Sequence, residues 1–306
     1  MVHIWPIGGG KGGSGKSFLT CALGHLLAGS GKKTLLIDLD LGAANLHTLL
    51  NIPYPAKSLS DFIKKKFPLL EDIVLETLAP NLFLISGAND TFDIANLSYE
   101  RKIKIVRSIS RLNYDCILLD LGAGTSFNTL DFFLISQNGI FIATPEPTSI
   151  ENVYRLIRSI YFRRVRQYFT VSDFKALEDE AVMYFGNGAY NKPECIMQMV
   201  KKIYPETSFK LYNDFNSFRF KFILNQLHKQ DNTSLGPQIC KLVEKHLGLK
   251  IDFAGNIAYD EHVHDAICQR ASFLDRYPYT RAASDLRELS KQIIHFAGEQ
   301  LMINYS

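Results

Sequence analysis

At 306 residues, with 46% apolar and 21% charged side chains, the chain can build one large α/β domain or two smaller ones, which excludes disordered and fibrous classes. Its net charge of +3 is too small to argue for nucleic acid by itself. Five cysteines (Cys21, Cys116, Cys195, Cys240 and Cys268) form no C-x-x-C pair and no metal-ligand spacing, so they read as free thiols in a reducing cytoplasm. Residues 1–30 lack the basic and apolar regions of a secretory signal, and no uninterrupted apolar run approaches a membrane span. A cytoplasmic protein is expected.

The apolar run Val2 to Ile7 predicts a strand. Behind it, Gly10-Lys11-Gly12-Gly13-Ser14-Gly15-Lys16-Ser17 satisfies G-x-x-x-x-G-K-[ST], a phosphate-binding loop. A helix is expected from about Lys16 to Leu27, burying Leu19, Leu23, Leu26 and Leu27. Glycines let successive N–H groups approach phosphate oxygens, and the helix N-terminus adds partial positive charge. The nucleotide-binding stretch is therefore expected to run from Gly10 through Phe18, with Lys16 on the β- and γ-phosphates and Ser17 ligating Mg²⁺.

Lys33 to Asp38 predicts a buried parallel strand that delivers Asp38 to the sheet's carboxyl edge, and alternation places Asp40 on the same side. Residues 51–80 read as connective, with a short helix around Ser60 to Phe67. Lys64-Lys65-Lys66 reads as solvated surface, with DNA or anionic lipid as the alternative contact. Leu82 to Ser86 is a further strand. Ser98 is expected to cap a helix to Leu112 whose inner stripe is Ile103, Val106, Ile109 and Leu112.

Tyr114 to Asp120 repeats the pattern of an apolar strand ending in aspartate, where a carboxylate meets Mg²⁺ through water. Asp120-Leu121-Gly122-Ala123-Gly124 continues as a glycine loop able to sense a γ-phosphate. After a strand at Gly139 to Ala143, Thr148-Ser149-Ile150-Glu151 reads as a capping box opening a helix through Ile160. Residues 161–215 mix aromatic and basic side chains and hold two helical stretches, Asp173 to Phe185 and Glu194 to Ile203. They read as a packed helical insertion, or alternatively as a surface for a protein partner or DNA. Strands are expected at Phe218 to Leu227 and Ile251 to Tyr259, and a terminal core-packing helix from Arg281 to Leu301.

The loop K-G-G-S-G-K-S, the segment D-L-D-L-G-A-A-N and the segment D-L-G-A-G together resemble the MinD/ParA family of deviant phosphate-loop ATPases. Thr144-Pro145-Glu146-Pro147-Thr148-Ser149 is similar to the MinD/FlhG (FleN) branch, which governs the division site or flagellar placement. The resemblance implies a single ATPase domain over 1–306 with a doubly wound, mostly parallel sheet and helices on both faces. It implies ATP and Mg²⁺ as ligands, and a homodimer that forms on ATP and signals to a protein partner or activator. Under it Lys11 crosses to the partner subunit's phosphates, Asp40 orients the attacking water, Asp38 and Asp120 hold hydrated Mg²⁺, and Gly122 belongs to the switch loop. Asn225 matches the asparagine that reads adenine, and His228 stands where guanine-specific proteins place an aspartate. The terminal helix resembles the membrane-targeting tail of MinD, but Asp285, Glu288 and Glu299 dilute its basic face. A membrane surface, DNA partitioning of the ParA type and a non-hydrolysing nucleotide-gated adaptor stand as the alternatives.

Overall fold

The computed structural model describes residues 2–87 and 97–303, with side chains as far as residue 293. In chain order, β1 (His3–Gly9) leads through the glycine loop to α1 (Lys16–Gly29), and β2 (Thr34–Leu39) is followed by α2 (Leu46–Leu49) and α3 (Leu59–Ile63). Then come β3 (Leu75–Glu76), β4 (Leu82–Ile85), α4 (Tyr99–Ile109), β5 (Cys116–Leu121), α5 (Phe127–Phe133), β6 (Asn138–Ala143) and α6 (Pro147–Arg166). Three helices follow, α7 (Val171–Phe185), α8 (Pro193–Ile203) and α9 (Pro205–Ser217). The chain ends with β7 (Arg219–Leu227), α10 (Leu235–Leu247), β8 (Ile251–Ala258), α11 (His262–Cys268), α12 (Phe273–Arg276) and α13 (Arg281–Ile303).

These strands form one sheet in the order β3-β4-β2-β5-β1-β6-β7-β8, parallel throughout except for the β3–β4 pair at one edge. Parallel strands covered on both faces need apolar residues at successive positions, and β1, β2 and β5 are buried along their whole length. Alternation divides them. Ile4, Leu35, Ile37, Ile117 and Leu119 face α3, α4, α5, α6 and α10. Trp5, Ile7, Leu36 and Leu118 face α1 and α13. The sheet is doubly wound as expected, and the chain leaves β1 for opposite flanks of the sheet, which opens a crevice at its carboxyl edge.

Three local expectations are corrected. The inner stripe of α4 is Lys102, Ile105 and Ile109, with Ile103 and Val106 only half-buried. The periodicity was blind to Lys102, which is buried because Asp131 accepts from its ammonium group. Helix α6 opens at Pro147, with Glu146 at the N-cap, rather than through a capping box at Thr148. The Ser149 hydroxyl instead accepts the Thr144 N–H at 3.0 Å. Finally, α3 stops at Ile63 and takes its capping box from Ser58 and Asp61.

Helix α6 runs on to Arg166, so residues 161–166 continue a sheet-packed helix. Helices α7 to α9 extend the same apolar cluster, with Phe174, Leu177, Ile196, Met199, Leu211 and Phe215 buried in it. Three arginines at the end of α6 are paired with carboxylates. Arg163 donates to Asp131 at 2.6 Å, Arg164 grips Asp214 with two nitrogens, and Arg166 meets Glu178 at 3.0 Å. The lysine run is exposed, with Lys66 paired to Asp61 at 2.8 Å. On α13, Leu286, Leu289 and Ile293 are buried, whereas Phe296, Ala297 and Leu301 lie outside the described side chains. Among the described residues no helix is long and apolar enough to cross a membrane.

Candidate functional site

The loop between β1 and α1 lies at the carboxyl edge of the sheet, and its shape depends on close approach. A Cβ at Gly10 would stand 2.1 Å from the Asn152 carbonyl carbon, so only glycine lets the loop pass against α6. Gly15 has φ of 90°, and a Cβ there would stand 2.3 Å from the Asn225 amide nitrogen. From the end of β7, Asn225 Nδ2 donates to the Ser14 carbonyl at 2.9 Å. Its neighbour Gln226 has φ of 59°, and its Nε2 donates to the Gly13 carbonyl at 3.0 Å. Gln226 was not among the expected residues. Inside the loop, Ser14 is 2% exposed, and its hydroxyl has no hydrogen-bond partner among the described residues.

Lys16, Asp38, Asp40 and Asp120 lie close enough to act on one another's charge. Asp38 and Asp120 are register partners on β2 and β5, and Ile7, two residues before the end of β1, is also in register with Asp120. Burial lowers the pKa of Lys16, and the charges of Asp120 and Asp40 oppose that shift. Asp120 is pushed up to about 6 by burial, against hydrogen bonding from Ser17 and the charge of Lys16. Burial, then the Asp120 charge, pushes Asp38 up to about 8. Asp38 also accepts the Leu46 N–H at 3.0 Å and the Asp40 N–H at 3.2 Å. Thr20, another residue absent from the expected set, has its hydroxyl 2.9 Å from the Lys16 carbonyl and 3.4 Å from Asp120.

The loop after β5 closes on the same point. A Cβ at Gly122 would lie 3.2 Å from the Asp40 carboxylate, and the Gly124 N–H donates to the Gly9 carbonyl at 3.3 Å. Lys11 is exposed, and its ammonium lies 3.4 Å from Glu146 at the start of α6. Phe18 turns its ring edge-on to Phe273 at 5.5 Å, away from the loop, which leaves only its backbone N–H for an anion. Gly12 and Ser17 complete the stretch, the latter at the second position of α1.

A Mg²⁺-bound polyphosphate fits these residues on chemical grounds. The buried Lys16, the Ser14 hydroxyl that has no partner among the described residues and the start of α1, which has no side-chain cap, are donors suited to an anion. Asp38 and Asp120 are two buried carboxylates in register, which a divalent cation would keep ionised. Mg²⁺ keeps waters and takes phosphate oxygens, so two carboxylates and a hydroxyl are a donor set it can use.

Comparison with known proteins agrees with this geometry. The antiactivator FleN of Pseudomonas aeruginosa is 23% identical over 296 residues, covering 95% of this chain and 86% of that protein. Among solved structures, MinD of Pyrococcus horikoshii complexed with Mg-ADP superposes with a TM-score of 0.68 at 19% identity, covering 97% of this chain and 98% of that one. The MinC:MinD cell division protein complex of Aquifex aeolicus gives a TM-score of 0.62 at 18% identity, covering 96% of both chains. At such identities the structures establish the shared fold. Residues 6–273 match the CobQ/CobB/MinD/ParA nucleotide binding domain, and the chain belongs to that family.

Proposed function

We propose that this chain is a MinD/FlhG-like ATPase that binds Mg-ATP in the glycine loop, dimerises on ATP and hydrolyses it as a switch for spatial regulation. The observation that carries this reading is the convergence of buried Lys16, the buried Ser14 hydroxyl and the in-register pair Asp38 and Asp120 on one loop. Lys16 and the N–H groups of residues 10–18 hold the phosphates. Ser17, Asp38 and Asp120 would hold Mg²⁺, which would supply charge neutralisation at the phosphates. Asp40, whose backbone N–H is fixed by Asp38, orients the attacking water. Lys11, exposed and paired only at the surface with Glu146 at 3.4 Å, exchanges that partner for a second subunit's phosphates. An inserted cation of this kind accelerates hydrolysis by about 10³ to 10⁵ in other phosphate-loop enzymes.

The whole chain acts as one ATPase domain, with residues 161–215 inserted in it. The apolar cluster shared by α6 to α9 and the sheet supports this. The MinC:MinD complex recorded for Aquifex aeolicus supports a protein partner. In this reading that partner recognises the ATP-bound dimer, in the cytoplasm or at the inner membrane face. Pairing of Arg163, Arg164 and Arg166 with Asp131, Asp214 and Glu178 weighs against DNA as their target. The test is calorimetry with ATP, phosphate release, and light scattering with ADP against ATP. Absence of binding heat sinks the reading, and binding without phosphate release leaves the non-hydrolysing adaptor.

A further inference from the structure

We infer that Asn225 and Gln226 are positioning residues which hold the phosphate loop open for a polyphosphate, whatever base that polyphosphate carries. The inference rests on the cradle being a triphosphate site. Two consecutive carboxamides at the end of β7 donate to two consecutive loop carbonyls, those of Ser14 and Gly13. A trans peptide is planar, with its C=O and N–H on opposite sides. Holding the Gly13 carbonyl therefore turns the Ser14 N–H away from β7, and holding the Ser14 carbonyl does the same for the Gly15 N–H.

The loop needs such a brace. With glycine at 12, 13 and 15, and with φ of 81° at Gly13 and 90° at Gly15, its peptides can flip at little cost. A flipped peptide presents a carbonyl oxygen to the anion, and repulsion replaces a hydrogen bond. Gln226 adopts left-handed backbone without being glycine, a strain of roughly 1–3 kcal/mol that persists only where the surroundings enforce it. Its bond to Gly13 is such an enforcement. Asn225 is 4% exposed, and its amide sits where a side chain at residue 15 would have to go. Bracing and base reading make different demands: a brace acts on phosphate affinity, and a base reader acts on the nucleoside alone.

The experiment measures affinity of the full chain for inorganic tripolyphosphate, ATP and GTP by calorimetry, in wild type, Asn225→Ala, Gln226→Met and Gln226→Gly. Each variant is expected to weaken all three ligands by the same factor, about 5- to 10-fold for one lost orienting hydrogen bond. Gln226→Gly separates bracing from damage: glycine relieves the positive φ, so ligand-free melting temperature does not fall while affinity does. The inference is overturned if Asn225→Ala weakens ATP and leaves tripolyphosphate unchanged, or if the Gln226 variants bind as wild type. A wild-type chain that binds tripolyphosphate but not ATP removes the ATPase reading and keeps the brace. One that binds neither removes both.

Discussion

Asp38 and Asp120 stand opposite one another in register on neighbouring parallel strands, both buried and both ending apolar runs. Like charges so placed cannot both ionise cheaply without a cation between them. The arrangement is therefore poised for a ligand and strained without one.

That strain predicts a pH dependence. Both carboxyls titrate in the folded chain above their unfolded value, Asp120 at about 6 and Asp38 at about 8. Above pH ~4 the folded state binds more protons than the unfolded one, so stability falls as pH rises through about 6 and then about 8. The ligand-free melting temperature is expected to be lower at pH 8.5 than at 5.5, by roughly several degrees, and Asp38→Asn should flatten the decline. Lys16, with a lowered value, works in the opposite sense only as pH climbs toward its own titration. Scanning fluorimetry across pH decides it, and a melting temperature that rises over this range refutes it.

The catalytic assignments separate by variant. Lys16→Ala removes the buried ammonium and is expected to abolish ATP binding. Asp40→Ala should keep binding and trap the dimer, and Lys11→Ala should keep binding and lose hydrolysis. Size-exclusion chromatography with ATP and a phosphate-release assay read all three. Normal turnover by Asp40→Ala would show that another group positions the water.

Outside the site, Asp131 is a nearly buried carboxylate with two cationic partners. It takes the ammonium of Lys102 and the guanidinium of Arg163, linking α4, α5 and α6. Asp131→Ala leaves a nearly buried Lys102 without its partner, at a cost on the order of 3–5 kcal/mol. Urea denaturation measures it, and a loss below about 1 kcal/mol would mean that the cations find other partners.

Thiol reactivity follows burial. Cys116 is pushed up to about 11 and Cys240 to about 12, both mainly by burial, and the half-buried Cys21 is raised well above its ordinary value by desolvation, then by the charges of Asp120 and Asp38. Cys268 is exposed. Iodoacetamide at pH 8 is expected to label Cys268 first, with the buried Cys116, Cys195 and Cys240 protected until unfolding and Cys21 held back by its raised pKa, as peptide mass spectrometry would record.

The strands, the loop and its aspartates were legible because each is specified locally, by an apolar run, a glycine pattern or a strand-end carboxylate. What escaped was fixed from elsewhere in the chain. The start of α2 is set by Asp38, which accepts the Leu46 N–H across eight residues. Lys102 turns inward because Asp131 waits on α5. Ser149 breaks the apparent capping box by bonding back to Thr144. Gln226 carries no motif, and only the fold brings its amide to Gly13. Arg163, Arg164 and Arg166 read as a basic surface until their carboxylates, up to 50 residues away in sequence, were in place.

Helix α6 touches the glycine loop at Asn152 and ends at Arg166, among the carboxylates of the inserted helices. Twenty unbroken residues make a rod about 30 Å long. One continuous element therefore joins the wall of the cradle to the inserted helices on the far flank of the molecule.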